Sequence, residues 1–135
     1  MSTPTPDLPL VIDTSAWMRH RQPQAASFLD SANELDLLVS CPVAALEVFR
    51  TARNEGEFKA LDRHFTALRQ APVTASVCEA ALGASRELGG QRRLPAPDYL
   101  IAAAAAECGF GVLHADKHFD LLATVLEFES VRLPE

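Results

Sequence analysis

The chain has 135 residues, is 48% apolar and carries a net charge of −6. That length suits one domain with an ample buried core. It contains no uninterrupted apolar span fit for a membrane helix and no basic-then-apolar start typical of a secretory signal, so a soluble cytoplasmic protein with no membrane partner is expected.

The negative balance at first speaks against nucleic acid, because such binders usually present a basic face. The basic residues are grouped, however, as Arg19-His20-Arg21, Arg50 with Arg53, and Arg92-Arg93. Metal bound to some of the carboxylates would change the balance further. Cys41, Cys78 and Cys108 are widely spaced, odd in number and form no C-x-x-C pair. They read as small buried residues in a reducing compartment.

Residues 1–9 hold three prolines and little that is apolar, and are expected to form a flexible leader before a single domain over 10–135. Leu10-Val11-Ile12 is a continuous apolar run, as in a central strand covered on both faces, and Asp13-Thr14-Ser15 ends it. Ala25, Phe28 and Leu29 predict a short helix over 24–32. Leu37-Leu38-Val39 predicts a second strand. Ser40-Cys41-Pro42 then starts a helix, with proline in its first turn, that is expected to run to about Arg53.

Phe58, Leu61, Phe65 and Leu68 form the apolar stripe of a helix predicted over 57–70. Thr74 caps the next helix, which ends at Gly89-Gly90. Pro95 and Pro97 prepare a helix opening at Asp98. Its five consecutive alanines, Ala102 to Ala106, suggest close packing of helix on sheet. Gly109 stops it. Phe110 to His114 is a third strand, residues 117–124 a short helix, and residues 126–133 an edge strand. Strands alternating with helices imply an α/β fold: a three-layer α/β/α sandwich with a mainly parallel central sheet.

Five carboxylates stand beside apolar segments: Asp13 after the first strand, Glu47 within an apolar helix, Asp98 at a helix start, and Asp116 and Asp120 after the third strand. A buried ionised carboxylate needs a compensating charge, and several at one point call for a divalent cation. Ligands of open parallel sheets bind beyond the carboxyl ends of the strands. Asp13, Asp98 and Asp116 map to that edge. Glu47, four residues after Val43 and one after Leu46, is expected to share their core-facing side. Each has a plainer explanation alone: a helix-start charge for Asp98, a cap for Asp13, solvent exposure for Glu47 and Asp120. Thr14 and Ser15 serve as turn hydroxyls or steady a carboxylate or phosphate oxygen. Trp17 reads as a core or interface aromatic, and His114 and His118 as surface or turn residues that are also able to ligate metal.

In this order and at these separations, Val11-Ile12-Asp13-Thr14-Ser15-Ala16, Glu47, Pro97-Asp98-Tyr99-Leu100-Ile101-Ala102-Ala103 and Leu113-His114-Ala115-Asp116-Lys117-His118-Phe119-Asp120 resemble the PIN-domain ribonucleases. The nearest likeness is to the VapC toxins of bacterial toxin–antitoxin pairs. The resemblance implies an endoribonuclease that uses Mg²⁺, or Mn²⁺ in its place, on tRNA or rRNA loops. It also implies a homodimer neutralised by a VapB-type antitoxin, with hetero-oligomers of the two. Asp13, Glu47, Asp98 and Asp116 would be its catalytic quartet. Asp13, Asp98 and Asp116 would hold the ion, and Glu47 would orient or deprotonate the attacking water. Ser15 and Asp120 are candidates for support or substrate contact, and Arg92 and Arg93 for contacts to the RNA backbone. Many relatives of this kind carry an aspartate two residues after the position of Asp116. His118 stands there instead, with Asp120 two further on, which leaves open one ion or two.

Other readings make different demands. A haloacid-dehalogenase-type phosphatase needs an aspartate where Ser15 stands, and a receiver domain needs paired acids before the first helix. A PIN-fold module that binds RNA or protein without cutting would tolerate loss of an acid, yet the quartet is intact. A PIN nuclease outside a toxin–antitoxin pair is the remaining alternative.

Overall fold

Strand β1 (Leu10–Ile12) is buried on both faces, as its unbroken apolar sequence requires. The computed structural model describes residues 7–89 and 93–134. Within them β1 is followed by α1 (Thr14–Trp17), α2 (Pro23–Glu34), β2 (Leu38–Ser40), α3 (Pro42–Phe49), α4 (Glu55–Ala67), β3 (Arg69–Gln70) and α5 (Ala75–Leu88). Then come α6 (Ala96–Cys108), β4 (Gly111–His114), α7 (His118–Leu122) and β5 (Glu129–Arg132). The strands form one sheet in the order β3-β2-β1-β4-β5, and every pairing is parallel. Leu8 and Pro9 already attach to this body: Leu8 packs on the core, and the Pro9 carbonyl accepts the Gly111 N–H at 2.9 Å.

Alternation along the strands divides the interior into two layers. Val11, Val39 and Val112 face Val77, Ala81 and the alanines of α6, with Phe119 and Leu122 of α7. Leu10, Ile12, Leu38 and Leu113 face Phe28 and Leu29 of α2 and Phe65 of α4. This is the expected α/β/α sandwich. Ala102 to Ala105 are all buried, because alanine lets α6 lie close to both the sheet and α5.

Several boundaries differ from the sequence expectation. The helix predicted to reach Arg53 stops at Phe49, where the Thr51 hydroxyl donates to the Val48 carbonyl at 2.7 Å. Asn54 then caps α4 by accepting the Glu57 N–H at 2.9 Å, so that helix starts before residue 57. It ends at Ala67, and Leu68 is extended. Arg69–Gln70, predicted helical, instead forms the edge strand β3, whose two exposed polar residues give no strand pattern. Phe58 and Leu46 are 43% and 64% exposed, so neither belongs to a core stripe. Of the cysteines only Cys41 is buried; Cys78 lies on the outer face of α5, and all three are free. Among the described residues no helix is long and apolar enough to cross a membrane.

Candidate active site

The strand order places β2 on one side of β1 and β4 on the other, so the chain's direction of winding reverses between β1 and β4. The loops leaving these two strands diverge there and open a crevice at their carboxyl ends. Asp13 leaves β1 at this edge, its N–H still bonded to the Leu113 carbonyl at 2.9 Å. Its extended backbone and carboxylate cap α1, with Oδ2 accepting the Ser15 N–H at 3.0 Å. The Ser15 hydroxyl donates to the same oxygen and accepts the Ala115 N–H at 3.0 Å. Ser15 thereby ties the end of β1 to the turn after β4 and fixes the Asp13 carboxylate.

Asp98 lies in the first turn of α6 and is 8% exposed. Asp116 sits in the turn between β4 and α7, where its Oδ1 accepts the His118 N–H at 3.0 Å. His118 Nδ1 donates to Asp98 Oδ2 at 2.9 Å and approaches Asp116 Oδ2 at 3.2 Å. The ligand atoms of Asp98, Asp116 and His118 all lie within 4.8 Å of one another. His118 is therefore a member of the cluster, the lesser of the two roles the sequence left it beside a surface or turn one. Only its position, two residues after Asp116 where an aspartate is usual, hinted at this.

Electrostatics mark the same point. Burial, reinforced by the charges of Asp13 and Asp116, raises the Asp98 pKa from 3.8 to about 6 against the lowering effect of its bond to His118. Burial likewise raises Asp13, opposed by its bonds to Ser15 and aided by the Asp116 charge. Carboxylates held this close in a partly dry setting lack positive charge, and hard oxygens with one imidazole nitrogen suit a divalent cation.

Glu47 comes from α3, and its Oε1 accepts a bond from the Thr14 hydroxyl at 3.1 Å, beside Asp13. The expectation that it shares a face with Leu46 fails, since Leu46 points to solvent; Glu47 follows half-buried Val43 by one turn. Thr14 thus steadies a carboxylate. Asp120 turns away from the cluster and accepts the Ser130 hydroxyl at 2.7 Å, with Arg132 at 3.5 Å. His114, read from the sequence as a surface or turn residue also able to ligate metal, is fully buried and outside the cluster. Arg93 is exposed, and Arg92 lies outside the described residues. Trp17, at the end of α1, stacks on His20 and meets Phe65 edge-on.

Acids gather at the switch point of an all-parallel α/β/α sheet, and residues 10–125 match the PIN domain family. The chain belongs to that family. It is 38% identical over 120 residues to ribonuclease VapC51 of Mycobacterium tuberculosis, covering 87% of this chain and 88% of that one. Its fold is shared with the DNA-bound VapBC complex of Salmonella typhimurium (TM-score 0.74, 12% identity, 95% of this chain and 100% of that one). It is also shared with VapBC-5, a toxin–antitoxin system of M. tuberculosis (TM-score 0.67, 19% identity, 93% and 99%).

Proposed function

We propose that this protein is a metal-dependent endoribonuclease toxin of the VapC kind, acting in the cytoplasm and neutralised by a VapB-type antitoxin. The convergence of Asp98, Asp116 and His118 beside buried Asp13 carries the reading, and the likeness to a VapC ribonuclease supports it.

Asp98 and Asp116 would hold the ion through carboxylate oxygens and His118 through a ring nitrogen, with Asp13, held by Ser15 beside them, as a further oxygen donor. Mg²⁺ favours an all-oxygen shell, whereas Mn²⁺ accepts imidazole readily, so Mn²⁺ is the better match to this set. A divalent cation held there supplies Lewis acidity at the phosphate oxygens and lowers the pKa of an adjacent water. Glu47, its carboxylate oriented by Thr14, takes the proton of the attacking water. Ser15 keeps Asp13 in place throughout. In-line attack by water needs no ribose 2′-hydroxyl as nucleophile, so the products carry a 5′-phosphate and a 3′-hydroxyl.

One helical turn beyond Asp13 and Glu47 opens a cleft of about 460 Å³ lined by Trp17, His20, Arg21, Thr51 and Arg53 among others. Its arginines and aromatic edge suit the backbone and bases of a single-stranded tRNA or rRNA loop. An antitoxin segment lying in it would exclude that RNA.

The test is incubation of total cellular RNA with purified protein and Mn²⁺ or Mg²⁺, followed by sequencing of new 5′ ends. A few discrete cuts bearing 5′-phosphates are expected, abolished by EDTA and by Asp98→Asn. Glu47→Gln is expected to slow cleavage by about 10²–10⁴-fold, the usual contribution of a general base. Cutting that persists in EDTA, or in Asp98→Asn, would reject the mechanism.

A further inference from the structure

Behind the carboxylate cluster, on the side facing strand β5, lies a chain of polar side chains that the mechanism above does not use. His114 ends β4 with its ring fully buried and tilted against Phe119 at 5.1 Å between centroids. Its Nδ1 accepts the backbone N–H of Asp116 at 3.2 Å. That bond requires an unprotonated Nδ1, so the neutral ring carries its proton on Nε2. Nε2 lies 2.6 Å from Ser130 Oγ and donates to it. The Ser130 hydroxyl then sends its own proton to Asp120 Oδ1 at 2.7 Å. Asp120 Oδ2 is in turn 3.5 Å from Arg132.

Every donor in this chain points the same way, from the Asp116 backbone outward to an exposed carboxylate. Ser130 is a link in this chain, accepting from His114 and donating to Asp120. The arrangement instead holds two cluster residues at once. His114 grips the turn that aims the Asp116 carboxylate. Asp120 lies on α7, the five-residue helix that His118 opens. Tying Asp120 to β5 fixes the rotation of α7 about its axis, and with it the reach of His118 toward Asp98.

We propose that His114, Ser130 and Asp120 form a positioning relay that sets Asp116 and His118 in the geometry the metal requires. This inference rests on the metal-dependent reading above, but its readout does not depend on RNA. Groups that orient metal ligands from behind commonly change affinity by about 10–100-fold when removed.

Direct titration of the purified protein with Mn²⁺, followed by calorimetry or by the paramagnetic resonance of the free ion, tests it. Ser130→Ala, at a half-buried position, and Asp120→Ala, at an exposed one, each remove a link of the relay and are expected to weaken Mn²⁺ binding by at least about tenfold. Ser130→Thr, which keeps the hydroxyl, restores it. His114→Asn keeps an acceptor for the Asp116 N–H and His114→Gln a donor for Ser130; each is expected to give a partial loss. With RNA, kcat should fall while KM stays constant. Unchanged Mn²⁺ affinity in both Ser130→Ala and Asp120→Ala, with only a lower melting temperature, would overturn the relay and leave these residues a structural strap. Wild-type protein that binds Mn²⁺ but cuts no RNA would count against the nuclease reading, while the affinity comparison would still decide the relay.

Discussion

Asp98, which we propose as a metal ligand, shows what a buried carboxylate costs the fold. Its ionised form is disfavoured by burial and by the charges of Asp13 and Asp116. For an acid, a pKa raised in the folded state means that the native protein binds more protons than the unfolded chain. Stability from this group is therefore fully present below the unfolded value of 3.8 and is lost as pH rises toward about 6. Metal-free protein should show a falling component of its melting temperature across that window, and Asp98→Asn should remove it. The same substitution is expected to stabilise the metal-free protein at neutral pH by on the order of 1 kcal/mol, about 4 °C for a domain of this size. It would abolish metal binding at the same time. A lower melting temperature for Asp98→Asn in EDTA at pH 7 would show that His118 compensates the charge fully on its own.

At the scale of elements, the site depends on how closely β4 can lie between β1 and β5. Gly111 opens β4, and a Cβ there would stand 2.8 Å from Leu10 Cδ2 and 2.9 Å from the Glu129 carbonyl oxygen. A backbone oxygen in a paired strand has nowhere to move. Gly111→Ala is expected to destabilise the fold by about 1–3 kcal/mol, the usual range for overpacking, measured by urea denaturation. Because β4 delivers His114 and the Asp116 turn, Mn²⁺ affinity should fall with it. An unchanged denaturation midpoint would mean that β5 shifts freely as an edge strand.

For the whole molecule, the metal should act as a stabilising ligand as well as a reagent. A ligand that binds only the native state at a hundred times its Kd adds about 2.7 kcal/mol. Saturating Mn²⁺ is therefore expected to raise the melting temperature by roughly 11 °C, and by less for Mg²⁺ given the imidazole of His118. Equal shifts with the two ions would indicate that His118 stays out of the coordination shell. Association with RNA, through arginines on a chain of net charge −6, should weaken steeply with salt.

Four of the five strands, the longer helices, the parallel sheet and the two covered faces were legible because strand burial and helix periodicity are local patterns; the four-residue α1 and the edge strand β3 were not. Leu10-Val11-Ile12 and the alanine run of α6 each announce their surroundings directly. Asp13, Glu47, Asp98, Asp116 and Asp120 stood out as acids beside apolar segments; parallel topology sent the first four toward one edge, whereas Asp120 turned away to Ser130 and Arg132. The sequence could not say what His114 and His118 do. They flank Asp116 at equal separation, yet one points into the core and the other into the crevice. That difference arises because the strand ends at His114 and the helix begins at His118, with the turn between them rotating one ring inward. The two-residue β3, the exposure of Leu46 and the inward bond of Ser15 to Ala115, a hundred residues away, were equally hidden. Local chemistry by itself determined the fold class and the acids. Only the packing of segments distant in the chain decided which side chains those acids meet, because such contacts leave no periodic trace along the sequence.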